Sequence, residues 1–199
     1  MNMPRQQRII TAEDIMDLGT FETIRAEKRQ ENLVRKRFRR LSVGPHVTVH
    51  FENWDTMWWQ IHEMLRIEKG GEEQLKDELA AYNPMIPNGS DLTCTLMFEI
   101  DDPKIRARVL GQIGGVEDHI FLSIDGEKIA GVPEGDVERS TPEGKASSVH
   151  FLHFPFTDAQ ISAWKSGEGQ AMFHIDHPNY GHIALINDEV RRELAGDFA

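Results

Sequence analysis

Apolar residues along the chain follow two periods, helical and extended, and switch between them several times. Thr11 before Ala12-Glu13-Asp14 predicts a capped short helix with acids in its first turn, closed by Gly19. Thr20 reads as a second cap. From Phe21 to about Leu41 there is no Gly or Pro, and Glu, Lys, Arg and Gln predominate, so a long helix is predicted. Its apolar residues are Phe21, Ile24, Leu33, Val34, Phe38 and Leu41, one thin stripe expected to lie against the body or a partner. Gly44-Pro45 ends that helix. Val47, Val49 and Phe51 then alternate with His46, Thr48, His50 and Glu52, the signature of a half-buried strand.

Asn53 or Asp55 is expected to cap a helix running to about Lys69. Trp54, Met57, Trp58, Ile61, Met64 and Leu65 form its buried stripe, while Trp59, His62, Glu63 and Arg66 occupy the other side. A further helix, Glu72 to Tyr82, stops before Asn83-Pro84 because the residue before proline avoids the α region. A strand is predicted over about Leu92–Ile100, and Asp102-Pro103 opens a helix to about Ile113. Strand 117–124 turns at Asp125-Gly126 into 127–130, and 131–145 reads as an exposed loop. Ser147–Phe156 is a strand, and Thr157 with Gln160 has the spacing of a capping box opening a short helix to Ser166. A last strand spans about Gln170–Asp176, broken by Pro178, and a closing helix runs from about Asn187 to Ala195.

Strands and helices are interleaved without strict alternation, which predicts an α+β fold with a largely antiparallel sheet and inserted helices. Residues 1–43 read as a long N-terminal helical extension carrying a basic helix, and 44–199 as a single α+β domain. A chain of 199 residues is long enough for such a core without covalent staples. Cys94 is the only cysteine, which excludes intramolecular disulfides, thiolate zinc sites and cysteine-held iron–sulfur clusters. The opening residues lack an apolar signal stretch, and no run of about 18 apolar residues occurs, so a cytoplasmic protein without membrane insertion is expected.

The net charge of −11 is unevenly placed. Arg25, Lys28, Arg29, Arg35, Lys36, Arg37, Arg39 and Arg40 crowd into 25–40 against only Glu27 and Glu31, whereas 41–199 is strongly acidic. A pI of about 5.3 argues against nucleic acid as the general partner. The basic run is expected to contact a protein partner through Arg35, Lys36, Arg37, Arg39 and Arg40, or to dock on the acidic body.

Nine histidines invite a metal reading. His46 and His50 share a strand face but lie about 13 Å apart, too far for one ion. His150 and His153 point to opposite faces. Glu117 and His119 share a face, and Asp176-His177-Pro178-Asn179-Tyr180 closes a strand where side chains can converge. His119, His177 and Glu63 are therefore the candidate metal ligands, for Fe or Zn. Gln60, Glu63, Asp176 and Tyr180 are candidate pocket residues, with Gln60 and Tyr180 in hydrogen-bonding roles. No H-E-x-x-H, G-x-S-x-G, phosphate-binding loop or dinucleotide fingerprint is present. Cys94 alternates with apolar residues and is expected to be buried and inert.

Several blocks together resemble a known family. They are Gly44-Pro45-His46, Phe51-Glu52-Asn53 through Trp58, Gln60, Glu63-Met64-Leu65-Arg66 and Tyr82-Asn83-Pro84, then Glu117-Asp118-His119, Val149-His150-Phe151-Leu152 and Asp176 to Tyr180. The chain is similar over nearly its whole length to a bacterial family catalogued only as a domain of unknown function. The resemblance implies genes near those for rubrerythrin and heterodisulfide-reductase-like iron–sulfur proteins, hence a place in redox or oxidative-stress metabolism. Two functional expectations stand side by side. One is an accessory or binding protein working with an iron–sulfur redox partner. The other is a metal- or cofactor-binding enzyme with a His/carboxylate site. Self-association and a purely structural role are left open.

Overall fold

Alternating apolar side chains build two antiparallel sheets in the computed structural model, which describes residues 7–135, 140 and 144–199. The first sheet has the order β1-β2-β3-β7-β6, from Arg40–Val43, Val47–Phe51, Asp91–Phe98, Val149–Pro155 and Val132–Pro133. The second has the order β5-β4-β8-β9, from Glu127–Ala130, Ile120–Ile124, Ala171–His177 and Tyr180–Leu185. Every pairing is antiparallel. The fold is α+β, as the pattern predicted.

The two sheets share one apolar core. Val49, Phe51, Cys94, Leu96, Leu152 and Phe154 of the first meet Ile120, Leu122, Phe173 and Ile175 of the second. Phe173 packs edge-on against both Phe51 and Phe154. A second cluster covers the other face of the first sheet. There Trp54, Met57, Trp58, Trp59, Ile61 and Leu65 of α2 (Trp54–Glu68) join Met85 and Ile86, with Phe151 of β7 packed against them. Helix α3 (Gly71–Tyr82) adds Leu75 and Leu79. Helix α1 (Leu18–Arg37) lies on α2 and buries Phe21 against Trp58, Trp59 and His62. Among the described residues no helix is long and apolar enough to cross a membrane.

Several local expectations are corrected. The cap of α1 is Asp17, not Thr20: its carboxylate accepts the Thr20 N–H at 3.0 Å and the Thr20 hydroxyl at 2.6 Å. Residues 12–14 form only a 3-10 turn. The basic helix stops at Arg37, and Arg40–Val43 is an edge strand paired with β2. Leu33 and Val34 do not belong to a buried stripe; they are 52% and 63% exposed. Residues 116–119 are a 3-10 turn, so strand β4 begins at Ile120 and Glu117 and His119 share no strand face. Pro178-Asn179 does not end the last strand but turns it into β9. Helix α4 (Pro103–Leu110), helix α5 (Asp158–Ser166, with the Thr157/Gln160 capping box) and helix α6 (Asp188–Leu194) appear where expected. Of the exposed loop expected over 131–145, residues 136–139 and 141–143 lie outside the described residues, as do 1–6.

Candidate functional site

Strand β8 ends at His177, and the 3-10 turn before β4 ends at His119; β4 and β8 pair, so their ends meet. The two imidazoles lie 5.2 Å apart, centroid to centroid, at right angles. His177 is buried and His119 exposed. The His177 Nδ1 accepts the Asn179 N–H at 3.2 Å, and its ring also bonds the Gly114 backbone. Burial lowers the pKa of His177, and the facing His119 lowers it further. The convergence of these two segments, read from sequence, is present.

Around them lies a wider polar end of the sandwich. Glu117 accepts the Ser140 hydroxyl at 3.1 Å and stands 3.7 Å from the Nδ1 of fully buried His150. Tyr180 is buried where β9 meets the first sheet: its hydroxyl accepts the His46 N–H at 3.0 Å and donates to the Val43 carbonyl at 2.8 Å. Its ring packs on Phe98 and His182. Gly44 takes φ +68, and a Cβ there would lie 2.5 Å from the His182 ring, so this close approach requires glycine. Tyr180 thus ties the two sheets together. Asp176 is exposed on β8.

Glu63 does not join the histidine pair. It forms a two-pronged ion pair with Arg25 of α1, at 2.7 and 2.8 Å, and lies 3.4 Å from Arg66. These guanidinium partners hold its carboxyl below the usual range, the Arg25 hydrogen bond being the largest cause. Among the described residues no three His, Cys, Asp or Glu side chains are grouped so as to hold a metal ion. Gln60 bonds the Tyr82 hydroxyl instead of reaching the pair. His62 is fully buried, accepting the Met16 N–H at 3.1 Å and bonding the Trp58 carbonyl at 2.8 Å, so it joins the N-terminal segment to α2. Cys94 is buried in the core, and burial raises its pKa well above the ordinary thiol value.

The basic residues divide into two groups. Arg39 is 2% exposed and bonds the Phe51 and Glu52 carbonyls, Asp197 and Glu193, so it is a buried clamp and not a docking residue. Arg35 faces Asp55 at 3.4 Å. Arg29, Lys36, Arg37 and Arg40 make no ion pair among the described residues.

A cleft of about 280 Å³, not expected from the sequence, lies between the distal half of α1 and the start of α2. Lys28, Glu31, Asn32 and Arg35 line one side, and Trp54, Asp55, Trp58 and Trp59 the other. The signal was available: 28, 31, 32 and 35 have the spacing of one helical face, and that face is polar where an apolar one is expected opposite tryptophans.

A family model described as "Protein of unknown function (DUF3501)" matches residues 9–198. A crystal structure described as a novel protein of unknown function from Burkholderia pseudomallei K96243 is 35% identical in sequence. The match covers 96% of this chain and 99% of that one, with a TM-score of 0.88. No match was found among curated proteins.

Proposed function

The chain belongs to the DUF3501 family of proteins of unknown function, and from that premise we propose that it is an accessory binding protein that docks an acidic iron–sulfur redox protein on α1. The observation that carries this reading is the outward face of that helix. Arg29, Leu33, Val34 and Arg37 are all exposed there, and Arg40 is exposed just beyond the helix end. Two large apolar side chains, ringed by cations without an ion pair among the described residues, suit a partner with acidic rim and apolar centre. Arg25 and Arg35 are already used within the chain, and Arg39 is buried. The docking set therefore narrows to Arg29, Lys36, Arg37 and Arg40 with Leu33 and Val34. The redox character of the partner rests on the family resemblance.

The test is calorimetric titration of an acidic ferredoxin into the protein at low and high salt. Binding should weaken with salt, and R29E/R37E/R40E should weaken it about tenfold or more, because exposed charges are screened over about 10 Å at 0.1 M salt. Absence of binding, or affinity indifferent to the triple variant, removes the reading. Self-association that the same substitutions abolish would replace the redox partner with a second copy of the chain.

A second reading is favoured by the 5.2 Å approach of His119 to His177: a metal- or cofactor-binding enzyme at that end of the sandwich. Two imidazoles would supply two ligands of Zn²⁺ or Fe²⁺, His177 giving up one of its bonds to the backbone of Asn179 or Gly114 to do so, with water or substrate completing the shell. One equivalent of zinc by elemental analysis, lost in His119→Ala, is the expected result. Metal content unchanged by that substitution discards it.

A further inference from the structure

The two sheets differ in what covers their outer faces. Over the first sheet lie the tryptophans and Met57 of α2. On the second, side chains alternate along β4, β8 and β9, so Phe121, Met172, Ile183 and Leu185 point away from the shared core. None of these four belongs to either core cluster of the described residues. Ile183 is 64% exposed and Leu185 57%.

The polar groups of this outer face are fixed in place. His174 stacks on Phe121, with centroids 4.3 Å apart and planes 11° apart, and its Nε2 lies 2.7 Å from the Ser123 hydroxyl. The Lys128 ammonium lies over the Phe121 ring, 3.7 Å from its centroid. Asp176 is exposed beyond His174 on β8. Burial lowers the pKa of His174, Lys128 lowers it further and Asp176 opposes both, so the two charges flank one imidazole. Neither Lys128 nor Asp176 makes an ion pair among the described residues. One cation and one anion leave the face without net charge, on a chain whose net charge is −11. Two copies can therefore meet here without the repulsion that their acidic surfaces impose.

Strand register shows that the face is complementary to itself. Lys128 pairs with Ser123 and Asp176 with Gly181, while Phe121 pairs with His174. Phe121 thus stands midway between the two charges, one strand and one same-face pair from each. A two-fold axis lying in the face and equidistant from Lys128 and Asp176 passes over Phe121. With strands about 4.8 Å apart and same-face pairs about 6.8 Å apart, it continues over Leu185 and brings Ile183 within about 3 Å of the Met172 position. Opposite charges then meet, and apolar residues meet apolar ones. We propose that the outer face of the second sheet binds a second copy of the chain about this axis, Lys128 of each copy on Asp176 of the other and Leu185 against its own counterpart. Four strands by three pairs give a footprint of roughly 400 Å² per copy, the size class of weak, reversible association. The proposal uses neither α1 nor the pair His119 and His177, and it is independent of the functions proposed for them.

Sedimentation velocity of the full chain, from about 10 μM to 1 mM, should show a monomer passing to a dimer in the range of a weak interface. Ile183→Lys combined with Leu185→Lys changes two exposed positions and should leave a folded monomer throughout. K128D sets carboxylates against carboxylates and D176K sets ammonium groups against each other, so each alone should weaken association at least tenfold. An equimolar mixture of these two variants restores both opposite-charge contacts and should associate within a few-fold of wild type. That rescue also shows that both variants are folded. R29E/R37E/R40E, on α1, should leave the association unchanged. A chain that stays monomeric at every concentration overturns the proposal, as does a dimer that survives the two lysines or is lost with the α1 substitutions. A mixture that associates no better than its components overturns it too.

Discussion

His153 sits between two carboxylates, its Nε2 2.7 Å from Glu134 and its Nδ1 3.4 Å from Asp91. The Asp91 hydrogen bond is the largest cause of its raised pKa; burial opposes this, and Glu134 adds to the rise. The folded value therefore lies above the ordinary 6.5. The stabilisation is fully present below that ordinary value and is lost as pH rises through the raised folded value. Urea unfolding at about pH 6 and pH 8 should show wild type losing stability with the rise, and His153→Gln should flatten the difference, by roughly 1–2 kcal/mol for a charge-assisted hydrogen bond. Arg39 is the second decisive residue. Arg39→Ala leaves Asp197 buried without its cation, so denaturant unfolding should show a loss of about 3–5 kcal/mol. Arg39→Leu combined with Asp197→Leu should recover most of it. Neither role was legible: Arg39 lies in a run of exposed cations, and only the strand pairing beyond it reveals that its side chain turns inward. His119 and His177 were legible because each sits beside a strand end. Glu63 was misplaced because nothing in the spacing of α2 shows that Arg25 of another helix takes its carboxylate.

Elements defined by strong local chemistry were readable before any coordinates. The Thr157/Gln160 box, the Asp102-Pro103 cap and the Asp125-Gly126 turn all fall where their residues require. Asp125 takes φ 48 and Gly126 φ 86, the conformation that makes this dipeptide a hairpin turn. Strand β9 was hidden because only Tyr180 of Tyr180–Leu185 is buried and its apolar Ile183 and Leu185 face outward, and because Pro178 reads as a terminator when seen without its partner strand. In α1 Phe21 is inside as expected but Leu33 and Val34 are not, because a polar stripe facing tryptophans breaks the usual rule. That mismatch has a dynamic consequence. The helix is anchored by Phe21 and Arg25 at one end and by Arg39 beyond the other, with the cleft and the Arg35–Asp55 ion pair between them. Helical stability comes mainly from packing an apolar face. Backbone amides of 27–36 should thus exchange with deuterium at least about tenfold faster than those of 57–66 in α2, as expected where few apolar contacts resist local opening. Equal protection would mean that the ion pairs alone hold the segment closed.

At the scale of the whole molecule, helix α6 and the segment after it join several distant elements. Phe198 is 2% exposed and packs on Phe156 and Trp164, with ring centroids 4.8 and 6.4 Å away. Asp197 holds Arg39 at the end of α1, and its carbonyl accepts Arg8 at 3.0 Å. The Ala199 N–H reaches the Gly89 carbonyl at 2.9 Å, just before β3. Arg191 fixes α6 by donating to the carbonyls of Trp164, Gly169, Ala163 and Glu168. Four regions far apart in sequence therefore converge on 191–199, a closure that local periodicity cannot encode. Loss of the Phe198 ring should act globally. A buried Phe→Ala change costs about 3–5 kcal/mol. At about 2–4 °C per kcal/mol for a chain of this size, Phe198→Ala should lower Tm by roughly 10 °C. Calorimetry should show one transition moving down as a unit, since Phe198 belongs to the core shared by both sheets. A split transition, with the tryptophan cluster of α2 melting at its original temperature, would show instead that the helical layer and the sandwich unfold independently.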